Sequence, residues 1–423
     1  MKILQINKYH YMKGGAERYY FEVSRLLERA GHEVVPFAMR SPRDIPTPHR
    51  ESFLPEVDYR SDMPWPARAR AAARVIWNRE AFRAIGDLVD RHHPDVAHLH
   101  NIAHQLSGSV VAALAWRGVP TVQTLHDYKL VCPAYRRFRD GRPCDSCHRH
   151  RYWEAVRHRC VLGRRSASLV AATESSFYAA IGLYEKGIAL YHAPSLFMKE
   201  TMVRWGIEAS RIVHFPYTID IAARTPAGED DGTFLFLGRL SGEKGLGVLL
   251  DAAARVPQAR IRIAGEGPEG EGLEREAAAR GLSSIRFEGY LEGDGLARAL
   301  ASCRALLLPS EYDDNSPLVI YEAFAFGKPV IAARRGGMPE LVRDGETGIL
   351  FPAGDGAALA DAILALEGDG ARARALGRSA RAFLEECCGP EAHLEKVLDL
   401  YARAIASKAA GREPELENAP RRG

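Results

Sequence analysis

Two carboxylates accompany a strongly apolar run in the last third of the chain. The stretch DNSPLVIYE places Asp314 at one end of this run and Glu322 in its middle. Burying an ionised carboxylate costs several kcal/mol unless hydrogen bonds or an opposite charge hold it. The pair therefore predicts either a polar ligand or a structural arrangement in which Asp314 is a loop acid and Glu322 pairs with an internal arginine.

The same stretch predicts the start of a buried helix. Ser316 is a candidate cap, Pro317 suits the first helical position and Gly327 is expected to end the helix. The run LVIYEAFAF is apolar on nearly every side, which favours a sandwiched helix. Its first amides could bind a diphosphate, and Glu322, about one and a half turns further along, could accept hydrogen bonds from a pair of sugar hydroxyls.

Two cations lie in a predicted strand-to-helix turn. The run GRLSGEKG (238–245) contains Arg239 and Lys244. A fixed guanidinium and an ammonium would stabilise the charge that develops on a leaving nucleoside diphosphate. Loop cations are usually solvated, so this pattern alone is weak evidence for a site.

Two further candidates lie in the first half of the chain. Gly14 and Gly15 precede a predicted helix and would let the backbone approach a phosphate or sugar, although a plain turn explains them equally well. His126, followed by Asp127, ends a predicted strand. A histidine there could bind a sugar hydroxyl or move a proton, which most isolated histidines do not do.

Short β-rich runs alternate with amphipathic helical runs through nearly the whole chain, which is typical of parallel sheets flanked by helices. The alternation restarts after residues 215–232, so we predict an α/β fold of two doubly wound domains, 1–222 and 223–390, a closing helix at 391–408 and a disordered tail at 409–423. Because parallel sheets bind ligands at the carboxyl ends of their strands, two facing domains predict a cleft. The predicted strands are 2–7, 32–39, 95–100, 119–126 and 168–174 in the first sheet, and 234–240, 259–265, 285–290, 305–310 and 329–333 in the second.

Residues 309–355 closely resemble the signature of family 4 glycosyltransferases. Those enzymes carry an acid, seven residues and a glutamate, the spacing of Asp314 and Glu322, although the first acid is usually glutamate. The run at 238–245 is similar to the family's G-R-L-x-x-x-K-G element. The resemblance covers almost the whole chain, is most specific between 234 and 354, and implies the GT-B architecture of two facing Rossmann-like domains, with the donor in the C-terminal domain and the acceptor against the N-terminal one.

The resemblance also implies roles for the candidate residues. It assigns the transferred sugar to Asp314, with His126 nearby, the ribose diol to Glu322 and the donor phosphates to Arg239 and Lys244. It further implies retention at the anomeric carbon and no cofactor or metal for catalysis. The catalytic candidates are His126, Asp314, Arg239 and Lys244, and the donor-binding candidates are Gly14, Gly15, Arg239, Lys244, Asp314, Asn315, Ser316, Leu318 and Glu322.

The resulting functional prediction is a retaining glycosyltransferase that moves a hexose-type sugar from a nucleoside diphosphate to a glycan or lipid-linked acceptor, in cell-surface polysaccharide or glycolipid biosynthesis. A nucleotide-sugar epimerase of the same architecture and a binding module without turnover are alternatives. An NAD-dependent Rossmann enzyme is a third, since Gly265, Gly267 and Gly270 form a G-x-G-x-x-G followed by Glu288. That strand is not the first of its domain, which disfavours the third alternative.

An insert at 132–165 combines cysteines with arginines. Its four thiols, including one C-x-x-C pair, predict either a structural zinc site or unligated cysteines. His148, His150 or His158 could replace a thiol in such a site. The candidate ligands are Cys132, Cys144, Cys147 and Cys160.

The insert also holds ten arginines against three acids, and the run PARARAAARVIWNREAFR adds five more arginines beside Trp65 and Trp77. These charges predict solvated faces or contact with anionic lipid headgroups. A net charge of +3 and the lack of a recognised motif argue against nucleic acid. Without a signal peptide or a long apolar run, we expect a cytoplasmic chain that can lie on the inner face of the plasma membrane.

Overall fold

Strands and helices alternate along the chain from residue 2 to residue 409. The structure is a computed structural model that describes residues 1–57, 64–226 and 229–410. Its strands are β1 (Lys2–Tyr9), β2 (Glu33–Arg40), β3 (Leu54–Pro55), β4 (Val96–Leu99), β5 (Thr121–Thr124), β6 (Phe138–Arg139), β7 (Arg142–Pro143), β8 (Leu190–Ala193), β9 (Ile212–His214), β10 (Thr233–Leu237), β11 (Arg260–Ala264), β12 (Ile285–Gly289), β13 (Ala305–Leu308), β14 (Val330–Ala333) and β15 (Gly348–Phe351). Its α-helices are α1 (Gly15–Arg29), α2 (Trp65–Ile76), α3 (Arg79–His92), α4 (Ser109–Trp116), α5 (Trp153–Arg157), α6 (Arg165–Ala180), α7 (Leu183–Gly187), α8 (Leu196–Arg204), α9 (Leu246–Arg255), α10 (Gly270–Ala279), α11 (Gly293–Ser302), α12 (Leu318–Ala325), α13 (Met338–Leu341), α14 (Gly356–Glu367), α15 (Gly370–Cys387) and α16 (Pro390–Ala409).

Two parallel sheets organise these elements. The first has the order β3-β2-β1-β4-β5-β8-β9 and the second has the order β12-β11-β10-β13-β14-β15. The chain order reverses around β1 in one sheet and around β10 in the other, and such a reversal opens a crevice at the carboxyl ends of the strands. The predicted α/β fold of two Rossmann-like domains is confirmed.

The central strands of the second sheet are buried on both faces. All residues of β13 and β14 are buried, and so are four of the five residues of β10. Their sequences ALLL, VIAA and TFLFL are the nearly continuous apolar runs expected where helices cover both faces of a parallel sheet. This buried sheet fixes the loops that follow β10 and β13, which carry the candidate donor residues.

The helix α16 covers the predicted closing helix and returns to the first domain. Its Tyr401 hydroxyl lies 2.8 Å from Nδ1 of His98, and Nε2 of its His393 lies 3.0 Å from the Tyr19 hydroxyl. The last helix therefore packs against the N-terminal sheet. The exact domain limits and the tail at 409–423 stay predictions, since residues 411–423 lie outside the described ranges.

One predicted strand is wrong. Residues 168–174 form the middle of α6, a helix of 16 residues rich in alanine and serine. A short apolar run has no period that separates a buried strand from a helix, and the next strand of the sheet is instead β8. Within the described ranges, none of the helices combines the length and the apolar character needed to cross a membrane.

Candidate functional site

The loop after β13 leads directly into α12. Leu318 is its first residue, Pro317 takes the capping position, and no side chain caps the helix. The predicted cap at Ser316 is wrong, because Ser316 lies one residue too early and its hydroxyl is bonded instead to the Tyr321 hydroxyl at 2.7 Å. The first amides of α12 are therefore without a side-chain cap.

Asp314 and Lys244 meet beside this helix start. The Lys244 ammonium donates to Oδ2 of Asp314 at 2.7 Å, and the Tyr312 hydroxyl donates to Oδ1 at 2.7 Å. The Ser310 hydroxyl also donates to Oδ2, at 3.3 Å. Asp314 is only 7% exposed, so these donors replace the water that its charge loses on burial. The structure thus brings the predicted acid of one loop against the predicted cation of another.

Gly245 makes this approach possible. It follows Lys244 with φ of +69°, and a Cβ placed on it would lie 1.9 Å from the carbonyl oxygen of Pro309. Only glycine accepts both this left-handed backbone and this contact without strain. The turn that carries Lys244 is consequently pressed against the loop that carries Asp314.

Glu322 has a partner from the other domain. It is buried at 5% exposure and forms an ion pair with Arg18 of α1. The internal arginine that the sequence left open as an alternative is thus present, and it comes from across the cleft. On the same side, a Cβ on Gly15 would lie 3.6 Å from Leu318, so the glycine turn faces the start of α12.

Arg239 differs from the other candidates. It follows β10, is exposed, and makes neither a hydrogen bond nor an ion pair with any residue in the described part of the chain. Its guanidinium can therefore bind an anion without first breaking a protein contact.

His126 uses both ring nitrogens inside the protein. Nδ1 lies 2.8 Å from the Tyr217 hydroxyl, and Nε2 lies 2.9 Å from Nδ1 of His100. Burial lowers the pKa of His126 to about 3, so the ring is neutral near pH 7. In this arrangement His126 has no nitrogen available to take a proton from a substrate. The neighbouring Asp127 accepts the Lys129 amide at 2.8 Å, and burial raises its pKa.

Family models match both halves of the chain. The model described as Glycosyltransferase Family 4 matches residues 13–223, and the model described as Glycosyl transferases group 1 matches residues 219–383. The chain belongs to the family 4 glycosyltransferases. It is an enzyme of the predicted kind, and the predicted family is confirmed.

Relatives of this family 4 glycosyltransferase include glycogen synthase of Mycobacterium tuberculosis, which is 28% identical over 95% of this chain and 93% of the relative. D-inositol 3-phosphate glycosyltransferase of Salinispora tropica is 29% identical over 93% of this chain and 82% of the relative. Two solved structures share the GT-B fold. Anabaena HepE in complex with UDP and glucose has a TM-score of 0.67 at 18% identity, covering 95% of this chain and 99% of that one. Sucrose-phosphate synthase of Thermosynechococcus elongatus has a TM-score of 0.70 at 20% identity, covering 96% and 99%.

Several contacts that bridge the two domains of this glycosyltransferase were not predicted. The Asn315 side-chain amide donates to the Leu125 carbonyl at 2.8 Å, and the Tyr128 hydroxyl donates to the Asp313 carbonyl at 2.7 Å. Arg136 of the insert pairs with Glu243 at 3.1 Å. The sequence showed the arginines of the insert, but no local pattern indicated that one of them faces the residue next to Lys244.

The glycines that resembled a dinucleotide fingerprint have a packing role. A Cβ on Gly265 would lie 1.8 Å from the carbonyl oxygen of Gly238, and one on Gly267 would lie 2.1 Å from that of Leu240. Glu288 is held by Arg262 through two hydrogen bonds of 2.9 and 3.0 Å. The motif lets two loops of the glycosyltransferase pack closely, and the comparisons support neither the NAD-enzyme nor the epimerase alternative.

The four cysteines of the insert lie close enough to influence one another. Burial, followed by the neighbouring thiols, raises the pKa of Cys147 to about 12 and that of Cys160 to about 11, and burial raises that of Cys132. All are free thiols.

Among the residues the structure describes, no three histidine, cysteine or acidic side chains are arranged to hold a metal ion. Each alternative ligand has a protein partner, namely Arg204 for His148, Tyr152 for His150 and Glu154 for His158. Zinc at the cysteines stays a prediction.

Proposed function

We propose that this glycosyltransferase transfers a hexose-type sugar from a nucleoside diphosphate donor to a glycan or lipid-linked acceptor, with retention at the anomeric carbon. The observation that carries this proposal is the contact of 2.7 Å between Lys244 and Asp314 beside the start of α12. A cation, an acid and a helix N-terminus therefore lie side by side. In a nucleotide sugar the phosphate lies next to the sugar, so the cation and the helix amides can bind the phosphate while the acid binds sugar hydroxyls.

Each part of the donor has a group of matching chemistry in this proposal. The first amides of α12, around Asn315, Ser316 and Leu318, together with Lys244, face the diphosphate. Asp314 takes hydroxyls of the sugar, and Glu322, about one turn inside α12, takes the ribose diol. Anabaena HepE, whose solved structure holds UDP and glucose, has the same fold and supports a donor of this class.

Two cations of the chain can stabilise the charge that develops on the leaving diphosphate, one free to move and one held in place. Arg239 is exposed and without a protein partner among the described residues, so it can bind the phosphate directly. Lys244 is already held in place by Asp314 and Tyr312. A charge held in place, as that of Lys244 is, stabilises a transition state without reorganising during the reaction. The family resemblance implies a front-face displacement in which the leaving phosphate takes the acceptor's proton, and the engagement of both His126 nitrogens agrees with this.

Donor binding by two variants tests the site. Lys244→Ala should weaken binding roughly tenfold, the loss expected for one hydrogen bond to a charged group worth about 1.5 kcal/mol, and Glu322→Ala should weaken it by a smaller factor, because the ribose contact replaces the existing pair with Arg18. Calorimetry against UDP-, GDP- and ADP-sugars would identify the donor and measure the losses. Lys186→Ala and Glu274→Ala, at exposed positions, are matched controls. Unchanged affinity in both site variants, with melting temperatures preserved, would remove these residues from the donor site.

The acceptor side carries an aromatic surface beside basic helices. The distance between ring centroids is 5.6 Å for Trp116 and Phe82, 5.9 Å for Phe82 and Trp77, and 6.4 Å for Trp77 and Phe177. Trp116 is 75% exposed, and Arg74 and other arginines lie on the adjacent α2. The side chain of Trp65 lies outside the described residues. We propose peripheral contact of this face with anionic lipid. Co-sedimentation with phosphatidylglycerol vesicles tests it, and equal binding to neutral phosphatidylcholine vesicles would contradict it.

A further inference from the structure

Five histidines form a hydrogen-bonded cluster beneath the cleft. Four of them are at most 3% exposed, and the fifth, His126, lies at the cleft edge. Burial lowers the pKa of every one, to about 3 for His98, His126 and His393. Neutral imidazole has one N–H donor and one bare nitrogen, so each ring can be assigned a tautomer once one partner is known. The cluster consists of His98, His100, His126, His192 and His393.

Two backbone carbonyls of the segment that links the domains fix the first two rings. Nε2 of His192 lies 2.9 Å from the Phe215 carbonyl oxygen, and Nδ1 of His393 lies 3.0 Å from that of Pro216. A carbonyl oxygen only accepts hydrogen bonds. These two nitrogens therefore carry the protons, and Nδ1 of His192 and Nε2 of His393 are bare.

The hydroxyls of Tyr19 and Thr124 then have one arrangement that leaves no bare nitrogen unpaired. Tyr19 lies 3.0 Å from Nε2 of His393 and 3.3 Å from Nδ1 of His192, whereas Thr124 lies 3.1 Å from Nδ1 of His192. Among the described residues only Tyr19 reaches His393 at this nitrogen, so Tyr19 donates there. Thr124 consequently donates to His192.

The direction continues through the closing helix. Because the Thr124 hydroxyl donates its hydrogen bond to His192, the Thr124 oxygen accepts a hydrogen bond from Nε2 of His98 at 2.7 Å. Nδ1 of His98 is then bare and accepts from the Tyr401 hydroxyl at 2.8 Å. The Tyr401 oxygen in turn accepts the Gln5 side-chain amide at 3.5 Å.

The last links reach the cleft. The Gln5 side-chain oxygen accepts from Nε2 of His100 at 2.8 Å, so Nδ1 of His100 is bare. That nitrogen accepts from Nε2 of His126 at 2.9 Å, and Nδ1 of His126 accepts the Tyr217 hydroxyl at 2.8 Å. One hydrogen-bond direction thus runs from Tyr217 through His126 to the linker carbonyl of Phe215.

We propose that His100 is a positioning residue that holds His126 as the Nε2–H tautomer, and that the linker carbonyls of Phe215 and Pro216 set the direction of the whole chain of hydrogen bonds. The role of His126 at the sugar rests on the proposed function, whereas the tautomer assignment does not. The His126 ring lies nearly parallel to those of His100 and Tyr217, at interplanar angles of 25° and 24°. His126 is accordingly a neutral ring held in one orientation beside the sugar, and it does not act as a base.

Long-range proton–nitrogen NMR of the ¹⁵N-histidine-labelled enzyme tests the assignment without turnover. Single histidine-to-glutamine variants assign the signals. We expect the Nε2–H pattern for His126, His100, His98 and His192, and the less common Nδ1–H pattern for His393. An Nε2–H pattern at His393, an Nδ1–H pattern at His126 or a charged ring at either would overturn the proposal. A failure of donor binding would not affect this result.

A pair of His100 variants separates positioning from simple packing. His100→Asn keeps an oxygen acceptor near the place of Nδ1, whereas His100→Leu removes it. We expect His126 to keep its tautomer signal in the asparagine variant and to show a mixture in the leucine variant. If both variants lost the His126 tautomer signal equally, in proportion to the fall in their melting temperatures, His100 would have only a structural role. If the leucine variant does not fold, the tautomers of the labelled unaltered enzyme still test the assigned direction of the hydrogen bonds.

Discussion

At the scale of single residues, the charges of the cleft already have protein partners. Asp314 is held by Lys244, and Glu322 is held by Arg18. When a donor binds here, each carboxylate exchanges its protein partner for a group of the donor, so neither carboxylate is left buried without a partner. Arg239 is the exception within the described chain, and it needs no exchange to bind a phosphate.

Glu174 offers a prediction about pH at this scale. It is fully buried, with Lys129 at 2.7 Å and His104 at 3.2 Å. Burial alone would raise its pKa, but Lys129 and His104 together lower it to about 2. Since the folded pKa lies below the unfolded value of about 4.3, the pair stabilises the fold above that pH and loses its effect as the pH falls toward 2.

Glu174→Gln should therefore lower the free energy of unfolding by about 3 kcal/mol at pH 7 and by about half as much at pH 3. Urea unfolding at the two pH values measures both differences. Glu185→Gln, at an exposed position on α7, is the control and should change neither value. An equal loss for Glu174→Gln at both pH values would contradict the assigned ion pair.

The site residues were predictable to different degrees. Asp314 and Glu322 lie on one strand-to-helix segment, so their spacing alone brings them to one edge of the sheet. Arg18 is far from Glu322 in the chain, and no local pattern links them. His126 was found as a strand-end histidine, but its engagement by Tyr217 and His100 depends on three separate segments meeting.

At the scale of elements, the turn before α9 determines where Lys244 lies. Gly245→Ala would force a side chain into a left-handed backbone and into the Pro309 carbonyl. We expect a loss of about 1 to 3 kcal/mol in the free energy of unfolding, and weaker donor binding because Lys244 moves away from Asp314. Denaturant unfolding and calorimetry measure the two effects.

Gly247→Ala is the matched control for this turn. Gly247 lies two residues later, inside α9, and a Cβ there would meet nothing within 4 Å. Alanine is the better helix former, so stability should stay the same or rise by up to about 1 kcal/mol. Equal destabilisation by both substitutions would show that the contact with Pro309 is not the cause.

The insert gives a second prediction for an element. Seven of the ten non-glycine residues with positive φ in the described chain lie between residues 135 and 162, yet the insert has only a two-residue hairpin and the short α5. Among the described residues no three ligating side chains are arranged to hold a metal ion, so zinc binding would require the thiols of the insert to move together. We expect one zinc ion per chain by elemental analysis of enzyme purified without chelator.

Paired substitution identifies the ligands of this zinc. Cys144→Ser combined with Cys147→Ser should abolish the bound metal and lower the melting temperature. Cys303→Ser, a buried cysteine outside the insert, should leave the zinc content unchanged. Purified enzyme without zinc would mean that the four thiols are unligated.

Elements with strong patterns were the predictable ones. The apolar strands β10, β13 and β14 and the long amphipathic α1 were found from their sequences. The strands β8 and β9 were missed because they have four and three residues and contain histidines. Residues 168–174 were assigned to a strand because a short apolar run cannot reveal the 16-residue helix around it.

At the scale of the whole molecule, two residues that are proposed to bind the donor also join the two domains across the cleft. Glu322 pairs with Arg18, and the Asn315 side chain bonds to Leu125 and to Ser195. Glu243, the residue next to Lys244, adds an ion pair with Arg136. Donor binding and domain closure therefore share their contacts. A ligand that takes one partner from such a pair changes the energy that holds the domains together.

The pair of Arg18 and Glu322 makes this coupling measurable. If Glu322 leaves Arg18 for the ribose diol, Arg18→Met removes a contact that the donor must otherwise break. The variant should bind the nucleoside diphosphate of the preferred donor about fivefold more tightly, corresponding to about 1 kcal/mol for a partly exposed pair. Arg29→Met, on the exposed end of the same helix, should not change the affinity.

The double variant gives the sharper result. Glu322→Gln removes both the contact with Arg18 and the contact with the ribose. In the unaltered chain the resulting loss of donor affinity therefore equals the free energy of the ribose contact minus that of the Arg18 pair. In the Arg18→Met background the loss equals the full free energy of the ribose contact, so it should exceed the loss in the unaltered chain by the same factor of about five. Calorimetry on the four proteins measures this difference. If Arg18→Met instead weakened binding, Arg18 itself would be a ligand of the donor, and closure would strengthen donor binding instead of competing with it.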